Sequence, residues 1–478
     1  MAVSHLQCKE CKAEYPLEAL YVCEQCFGPL EVAYDHSRLI AASGGGVRDV
    51  AELRRRIQGG PQNIWRYADF LPLAGGPPGP SGRLASRVGL PAGCTPLIRA
   101  DRLAARLGLR EVWVKNDAAN PTHSFKDRVV SVAVTRAREL GYETIACAST
   151  GNLANSVAAH GAALGLDSYV FIPANLEEQK VLATGVYGTN VVGVQGSYDD
   201  VNRLCTELCA ERDWAFVNIN LRPYYAEGSK TLAFEIAEQL GWELPDRCVV
   251  PIASGSLFTK IARGFEEWSE LGLLDGPAPR MNGAQAEGCS PVASAFSAGH
   301  EVCKPVKPDT IAKSLAIGNP ADGPYALDLA RRTGGSVDAV SDEEIRAGIK
   351  LLAETTGVFT ETAGGVTTAT LAKLAERGEI DPDERVVLVI TGEGLKTLDA
   401  VRGMFETHTI APSVEAFETA ENLTPPGPVT AVARVPKPVD TRSARIPVSA
   451  STLRDPACAP NGVRPVSARS STVSAADS

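Results

Sequence analysis

The residues with the clearest capacity for chemistry stand in one short segment, residues 120–128, which reads NPTHSFKDR. Lys126 is the candidate nucleophile of this segment, because a lysine amine, when neutral, can attack a carbonyl group and form an imine with it. A neutral lysine needs a partly desolvated pocket, which Phe125 and the mostly apolar residues 129–134 are expected to supply. The same letters also fit a solvated lysine at the start of a helix, so the rest of the chain has to decide between the two interpretations.

Three glycine-containing loops accompany this lysine, and each follows an apolar run that is typical of a strand. They comprise residues 149–152 (STGN), 253–257 (ASGSL) and 391–396 (TGEGLK). Where a loop opens a helix, its free backbone N–H groups bind anions. The second loop suits a phosphate dianion, because two hydroxyl groups flank a glycine that permits close approach. Each loop taken alone is equally compatible with an ordinary helix cap or turn.

Four cysteines near the start of the chain form a separate pattern. Cys8 and Cys11 make one CxxC pair, Cys23 and Cys26 make another, and eleven residues lie between the two pairs. Thiolates at this spacing converge tetrahedrally on one zinc ion, and so short a segment has too small a core to fold without it. We therefore predict a zinc ribbon over residues 1–36, with a redox dithiol or an unmetallated remnant as alternatives. The other cysteines are expected to be small buried hydrophobic residues.

The composition limits which classes of protein fit the chain. A length of 478 residues with 44% hydrophobic and 22% charged residues is typical of a globular protein with two or three domains. No stretch resembles an export signal or a membrane span, so we expect a cytoplasmic protein with no membrane partner. The net charge of -10 is spread along the chain, which disfavours nucleic acid as a partner. Small metabolites are the expected ligands.

Short apolar runs alternate with amphipathic stretches from residue 94 to about residue 410, which is typical of parallel sheets covered by helices. The pattern predicts strands at 111–115, 144–148, 168–172, 190–194, 215–218, 248–252 and 385–390. It predicts helices at 126–139, 153–165, 199–213, 229–240, 342–356 and 366–377. From about residue 420 the chain is rich in Pro, Ala, Ser, Val and Arg and has neither period, so we assign residues 413–478 to a disordered tail.

The ordered set of a lysine segment, an asparagine loop, a phosphate loop and a terminal TG loop resembles the fold-type-II pyridoxal-phosphate enzymes, whose α/β fold is tryptophan-synthase-β-like. With the two CxxC pairs and the GPLEV segment at 28–32, residues 5 to about 410 resemble the zinc-ribbon-bearing threonine synthases. The resemblance implies a homodimer with a two-domain core. The large domain would comprise 94–128 and 226–412 and the small inserted domain 129–225, after an arm and linker at 37–93.

The resemblance also implies a role for each motif. Lys126 would carry pyridoxal 5′-phosphate as a Schiff base and would act as the catalytic base. The other cofactor-binding residues would be Asn152 at the phenolic oxygen, Thr391 at the pyridine nitrogen, Glu361 beside the ring, and Ser254, Gly255, Ser256 and Leu257 at the phosphate. The implied reaction converts O-phospho-L-homoserine and water to L-threonine and phosphate. A neutral hydroxyl at the ring nitrogen fits elimination and β-replacement better than transamination.

A phosphorylated amino-acid substrate requires a second anion site. Lys115, at the end of a predicted strand, is the first choice for the substrate phosphate, and Arg128 and Lys230 are further candidates. Each of these cations could instead belong to a salt bridge or to the surface. The predicted substrate-binding set also includes Ser124, Ser149, Thr150, Gly151 and Asn155.

Three positions depart from the pattern that is common in threonine synthases. His123 and Leu153 stand where many of them have glycine and threonine, and no arginine directly precedes Glu227. The nearest arginine upstream is Arg222. His123 and Arg222 are the residues that could compensate in phosphate binding.

Two alternatives come from different classes of protein. The first is a sister lyase on the same scaffold, either a cysteate-synthase-like enzyme that uses O-phosphoserine and sulfite or a threonine or serine dehydratase. The second is a catalytically silent protein whose ribbon binds RNA or another protein. The ribbon lacks a cluster of basic residues and Lys126 is intact, and both observations favour an enzyme.

Overall fold

The described residues in the computed structural model are 2–39, 49–73, 89–176, 178–196 and 198–420. They belong to one compact unit that spans residues 1–435. Two parts of the predicted arm and linker, residues 40–48 and 74–88, and the predicted tail beyond residue 420 lie outside the described residues. Within the described ranges, no helix is both long enough and apolar enough to cross a membrane.

The strands of the described residues form three sheets. In chain order they are β1 (Val3–Cys8), β2 (Glu14–Tyr15), β3 (Leu30–Tyr34), β4 (Leu97–Arg99), β5 (Glu111–Asn116), β6 (Thr144–Ala148), β7 (Asp167–Pro173), β8 (Asn190–Val194), β9 (Ala215–Phe216), β10 (Arg247–Pro251), β11 (Arg280–Ala286), β12 (Val337–Val340) and β13 (Arg385–Ile390). The ribbon sheet is antiparallel in the order β2-β1-β3. The large sheet has the order β12-β11-β10-β13-β5-β4 and is parallel except at β4. The small sheet is parallel in the order β8-β7-β6-β9.

The predicted apolar runs become strands of the two parallel sheets. Every residue of β10 is buried, and so are residues 386–390 of β13. A parallel strand that is covered on both faces has no polar side, which is why these runs are continuously apolar instead of alternating. All strands predicted over 111–390 are present, and their ends differ from the prediction by one or two residues at most.

The helices follow the strands along the chain. They are α1 (Val50–Gln58), α2 (Asp101–Leu107), α3 (Lys126–Glu139), α4 (Asn152–Leu164), α5 (Glu178–Gly185), α6 (Tyr198–Glu211), α7 (Arg222–Glu227), α8 (Lys230–Gln239), α9 (Ser256–Glu270), α10 (Pro291–Ser297), α11 (Gly323–Arg332), α12 (Asp342–Thr356), α13 (Thr362–Glu376) and α14 (Val414–Ala420). Local signals set some ends: a capping box of Ser341 and Glu344 starts α12, and Gly357 with φ of +74° ends it.

Helix α13 begins four residues earlier than the predicted helix at 366–377. The early turn contains Gly364 and Gly365, whose low helix propensity hides it from a pattern-based prediction. Tertiary packing requires these glycines, because a Cβ on Gly365 would lie 2.6 Å from the backbone oxygen of Ile345 in α12. The close approach of α12 and α13 therefore decides the start of the helix.

Two further differences have local physical reasons. Strand β11 escapes prediction because it carries the polar residues Asn282 and Gln285, which are buried and hydrogen-bonded: Asn282 Oδ1 accepts from Arg247, and Gln285 Oε1 accepts from two N–H groups of α10. The predicted disordered tail begins too early, because residues 414–420 form α14. The backbone oxygen of Ser413 accepts a hydrogen bond from Phe417 N at the start of this exposed helix.

The ribbon is packed onto the rest of the described chain and is not a free appendage. Leu6, Cys8 and Leu30 of the ribbon are buried in the same hydrophobic cluster as Val129 and Val130 of α3. Because α3 starts at Lys126, the ribbon supports the helix that carries the candidate nucleophile.

Candidate active site

Three segments of the chain meet at the carboxyl ends of β5 and β13. These strands are parallel neighbours, so the segments that follow them leave the sheet at the same edge. Ser124 forms an isolated β-bridge with Gly392, and Phe125 N donates a hydrogen bond of 2.9 Å to Thr391 O. Glu361 N donates to Gly392 O at 3.1 Å. The lysine segment, the TG loop and the start of α13 are thereby brought together, as the roles implied by the resemblance require.

Lys126 is the first residue of α3 and is half-buried. Its Nζ donates a hydrogen bond of 2.9 Å to Oη of Tyr225. The same Nζ lies 4.7 Å from the centroid of the Phe125 ring and 5.5 Å from that of the Tyr225 ring. The half-buried amine therefore lies against two aromatic rings. Tyr225, on α7, is not among the residues predicted from the sequence, because its position beside α3 depends on the fold.

Asn152, Glu361, Thr391 and Lys396 form one hydrogen-bonded cluster, to which we refer as the amide cluster. Asn152 Nδ2 donates to one carboxylate oxygen of Glu361 at 2.9 Å, and Thr391 Oγ1 donates to the other at 3.3 Å. Lys396 Nζ donates to Asn152 Oδ1 at 2.9 Å and to the backbone oxygen of Thr122 at 2.6 Å. Because an ammonium group only donates, Asn152 must turn Oδ1 toward Lys396 and Nδ2 toward Glu361.

Burial is the largest influence on the pKa values of the two ionisable residues of the amide cluster, Glu361 and Lys396. Burial raises the pKa of the Glu361 carboxyl above its ordinary value, although Asn152, Lys396, Thr391 and Lys126 all act to lower it. Burial lowers the pKa of the Lys396 ammonium, and Glu361 is the chief group that opposes this shift. Asn152 is the chief group that stabilises the Glu361 carboxylate and Glu361 is the chief group that stabilises the Lys396 ammonium, so neither buried charge is left uncompensated. Lys396 escapes prediction because the TGEGLK string does not indicate which way its long side chain turns.

Ser254, Gly255 and Ser256 form the turn between β10 and α9. Ser256 is the first residue of the helix, and its N–H lies 3.5 Å from Oγ of Ser254, which accepts the hydrogen bond. Gly255 has φ of +97°, and a Cβ there would lie 2.8 Å from the backbone oxygen of Asp322. Only glycine meets both conditions without strain. The turn places backbone N–H groups, followed by buried Leu257, at the start of a long helix, which is an arrangement that stabilises a phosphate.

The remaining predicted substrate contacts lie around the start of α4 and in the lysine segment. Ser149, Thr150 and Gly151 are half-buried, and Gly151 N donates to Ser149 Oγ at 3.4 Å. Asn155 donates from Nδ2 to a backbone oxygen of α5 at 2.8 Å. Ser124 is fully buried, and among the described residues its Oγ has no hydrogen-bond partner. A buried hydroxyl is normally paired, so this Oγ marks a place where a polar ligand would fit.

Lys115, the first choice for the substrate phosphate, is part of the core instead. Its side chain is completely buried, and Nζ donates hydrogen bonds of 2.8 Å to Thr95 O, Glu235 Oε2 and Gln239 Oε1. An ammonium group has three N–H donors, so the structure leaves none of them for a substrate.

Arg128 and Lys230 are likewise consumed by buried ion pairs. Arg128 donates to both carboxylate oxygens of Glu235 at 2.7 Å and to those of Asp117 at 2.7 and 2.8 Å. Lys230 donates to both oxygens of Glu267 at 3.0 and 2.9 Å and lies 2.6 Å from a carboxylate oxygen of Glu227. The sequence left open whether these cations belong to salt bridges, and the structure supports that alternative.

The positions that depart from the common pattern lie in different surroundings. His123 is exposed and has φ of +61°, a conformation that glycine adopts more easily. Leu153 is buried in the cluster that joins the ribbon to α3. Arg222 donates from Nη2 to Oδ2 of Asp322 at 2.9 Å, which places it beside the turn at Gly255.

The four ribbon cysteines bring their sulfur atoms within 4.8 Å of one another. Cys8 and Cys26 are 3.5 Å apart at Sγ, and so are Cys11 and Cys23. A tetrahedral zinc ion with Zn–S bonds of about 2.3 Å needs sulfur separations of about 3.8 Å. The donor set and its spacing therefore fit such an ion.

The parallel sheets, the lysine at the start of α3 and the loops at the strand ends define the class of the protein. The sequence model of the family described as pyridoxal-phosphate dependent enzyme matches residues 88–392. The processed form of threonine deaminase isoform 2 from Solanum lycopersicum has a similar structure, with a TM-score of 0.56 and 20% identity over 76% of this chain and 91% of that chain. A fungal L-serine ammonia-lyase from Rhizomucor miehei has a TM-score of 0.55 and 21% identity over 65% of this chain and 98% of that chain. At these identities the likeness establishes the fold, fold type II.

Relatives of higher identity narrow the family. The threonine synthase of Methanocaldococcus jannaschii is 41% identical over 82% of this chain and 93% of its own length. The threonine synthase of Methanosarcina acetivorans is 38% identical over 85% of this chain and 95% of its own length. The chain belongs to the threonine synthase family of pyridoxal-phosphate dependent enzymes.

Proposed function

We propose that this protein is a threonine synthase in its own activity, which converts O-phospho-L-homoserine and water to L-threonine and phosphate. The observation that carries the proposal is the position of the Lys126 amine, against two aromatic rings at the meeting point of the lysine segment and the TG loop. The identities of 41% and 38% to threonine synthases support the choice of substrate.

The residues at this point fit pyridoxal 5′-phosphate. Lys126 would hold it covalently, Asn152 Nδ2 would bind its phenolic oxygen and Thr391 would face its ring nitrogen, with Glu361 beside the ring. The unpartnered Oγ of Ser124 supports a polar ligand in this space. When bound, the cofactor would supply an electron sink for carbanion chemistry at the substrate Cα.

Two helix starts would bind the two anionic groups of the ligands, one the cofactor's phosphate and the other the substrate's carboxylate. The turn of residues 254–257, with its glycine at φ of +97°, would bind the cofactor's 5′-phosphate. The first-turn N–H groups of α4, which have no partner inside the helix, would bind the substrate carboxylate together with Ser149, Thr150 and Gly151. Asn155 would support this loop from the second turn.

The proton transfers fall to Lys126. Once its amine is free, it is a general base placed next to the substrate Cα. Tyr225 would orient that amine through the hydrogen bond of 2.9 Å. The Thr391 hydroxyl is neutral and does not hold the ring nitrogen in its protonated form, which suits γ-elimination followed by addition of water at Cβ.

Lys396 is a cation at the site that was not predicted, with a role different from the phosphate binding that was predicted for Lys115. We infer that it orients Asn152: its ammonium can bind only Oδ1, so Nδ2 faces away from Lys396, donates one N–H to Glu361 and keeps the other for the cofactor. Replacing Lys396 by methionine is expected to lower kcat/KM about 10- to 100-fold, because a hydrogen bond to a charged group contributes about 1.5 to 3 kcal/mol. Steady-state kinetics would measure the change.

The matched control is Lys350→Met in α12, where the ammonium makes only a half-exposed pair with Glu354 at 3.7 Å. That variant is expected to match wild type, and Lys396→Arg is expected to retain part of the activity. A Lys396→Met enzyme with unchanged kcat/KM would remove Lys396 from the site.

The direct test of the proposed function is phosphate release from O-phospho-L-homoserine by the purified protein, with the amino-acid product identified. Threonine as the product would confirm the reaction. A yellow protein that leaves phosphohomoserine intact but consumes O-phosphoserine with sulfite, or deaminates threonine or serine, would show a sister activity on the same scaffold. A protein without a visible cofactor band would contradict every enzymatic interpretation.

We also propose that Cys8, Cys11, Cys23 and Cys26 bind one structural zinc ion. The purified protein is expected to contain one zinc per chain, and a chelator is expected to unfold the ribbon, because metal binding supplies its folding energy. Metal analysis and limited proteolysis of the first forty residues would measure both effects. Cys11→Ser is expected to lose the metal and Cys209→Ser, in α6, to keep it; zinc retained by Cys11→Ser would contradict the ligand set.

The domain boundaries, the homodimer and the cytoplasmic location are further proposals. The division at residues 129 and 225 is supported by the small sheet, whose strands all lie between residues 144 and 216, while the large sheet draws its strands from both sides of this segment. Analytical ultracentrifugation of the holoenzyme would test the dimer.

A further inference from the structure

Two residues of the ribbon's first CxxC knuckle, Lys9 and Glu10, contact the start of α11. Lys9 Nζ lies 3.5 Å from Oδ1 of Asp322 and 3.4 Å from the centroid of the Tyr325 ring. The Tyr325 hydroxyl donates a hydrogen bond to the carboxylate of Glu10. Asp322 is the N-cap residue of α11 and Tyr325 lies in its first turn. The knuckle therefore holds the start of α11 from one side.

Asp322 contacts the phosphate turn directly through its backbone. Asp322 N donates a hydrogen bond of 2.8 Å to Ser254 O. The backbone oxygen of Asp322 lies so close to Gly255 that a Cβ there would be 2.8 Å away. Asp322 is 5% exposed. Any displacement of Asp322 therefore moves the surface against which the turn at 254–256 is built.

Two cations from distant parts of the chain hold the Asp322 carboxylate in place. Arg222 of α7 binds Oδ2 at 2.9 Å, and Lys9 of the ribbon lies 3.5 Å from Oδ1. These two cations, Asp322 and Ser256 also line one cavity at the ribbon–core interface. A buried carboxylate that loses one of its partners is costly. If Lys9 is removed, the Asp322 carboxylate loses one of its two cationic partners, and the adjacent cavity gives its side chain room to shift.

We propose that Asp322 is a positioning residue for the phosphate of the cofactor, and that the ribbon sets its position through Lys9. This proposal rests on the proposed function, because it assumes that the 254–257 turn binds the 5′-phosphate of pyridoxal phosphate. It gives the ribbon a part in cofactor affinity in addition to its own folding. The coupling acts only on the phosphate, so a cofactor analogue that lacks this group does not respond to it.

The test compares the affinities of the full-length apoenzyme for pyridoxal 5′-phosphate and for pyridoxal, by titration of the visible absorbance. Lys9→Met is expected to weaken pyridoxal phosphate binding about tenfold, leave pyridoxal binding unchanged and retain its zinc. Lys9→Arg is expected to restore most of the affinity. Lys12→Met is the matched control, because Lys12 lies in the same knuckle, is exposed and donates to Lys9 O at 2.9 Å.

A second variant keeps the proposal falsifiable if Lys9→Met disturbs the ribbon. Asp322→Asn preserves the size of the side chain and the backbone contacts, and it is expected to show the same loss for pyridoxal phosphate alone. Equal weakening for both ligands, or no weakening in Asp322→Asn, would overturn the proposal. These titrations need no turnover, so they can succeed with a chain that is inactive on phosphohomoserine. A wild-type protein that binds neither ligand would instead refute the proposed function.

Discussion

Threonine formation is expected to fall by at least about 10⁴-fold when Lys126 is replaced by alanine, because the change removes both the covalent anchor of the cofactor and the base beside Cα. The amine has no substitute at this position. Tyr225, which accepts its hydrogen bond at 2.9 Å, carries a hydroxyl and cannot form an imine with the cofactor. Initial rates on O-phospho-L-homoserine at saturating cofactor would measure the loss.

The cofactor itself offers a second measurement on the same variant. Borohydride reduction is expected to attach the cofactor to the wild-type chain at Lys126 and to leave the Lys126→Ala chain unlabelled, as peptide mapping would show. Lys350→Ala serves as the control, because it removes a lysine from a half-exposed pair in α12. Activity within tenfold of wild type in Lys126→Ala, or a label on another lysine, would show that the nucleophile has been misassigned.

The largest effect on stability is expected from Glu235→Gln. Glu235 binds Arg128 through both carboxylate oxygens at 2.7 Å and Lys115 at 2.8 Å, and all three side chains are buried. The uncharged amide would leave two buried cations facing the single carboxylate of Asp117. Breaking a buried pair in this way costs about 3–5 kcal/mol, a large share of the stability of a typical domain. Thermal unfolding of the variant, at a fixed cofactor concentration, would measure the loss.

The control is Glu243→Gln, since Glu243 makes an exposed pair with Arg385 at 2.6 Å and its side chain is 63% exposed. Its expected cost is about 0–1 kcal/mol. A Glu235→Gln protein as stable as this control would contradict the assignment of Lys115 and Arg128 to the core. It would also reopen their role at the substrate.

The same network predicts how stability depends on pH. Burial alone would raise the pKa of Glu235, but Arg128 and Lys115 outweigh it and hold that pKa well below its usual value. The stabilisation is therefore complete above the unfolded-state pKa of about 4.3 and is lost as the pH falls toward the lower folded-state value. Wild type is expected to lose more stability than Glu235→Gln on acidification from neutral pH to below pH 4.

Much of the fold could be predicted because its signals are local. The strands at 144–148 and 385–390 have the predicted ends, since buried parallel strands are continuous apolar runs whatever surrounds them. The meeting of the lysine segment with the TG loop was equally predictable, because both follow strands of one parallel sheet. The cysteine spacing predicted that the four ribbon sulfur atoms converge, and they lie within 4.8 Å of one another; their binding of zinc stays a prediction.

Only the tertiary structure decided which cations are free to act. Lys115 and Arg128 find their carboxylate partner 120 and 107 residues away, at Glu235, and no local pattern encodes such a pair. Lys396 reaches Asn152 across 244 residues. Whether a charged side chain lies at the site or in the core depends on which oppositely charged or polar partners the fold brings within a few ångströms of it. The sequence by itself therefore determined most of the elements and indicated Lys126 as the candidate nucleophile, whereas the long-range electrostatics around them followed from the fold.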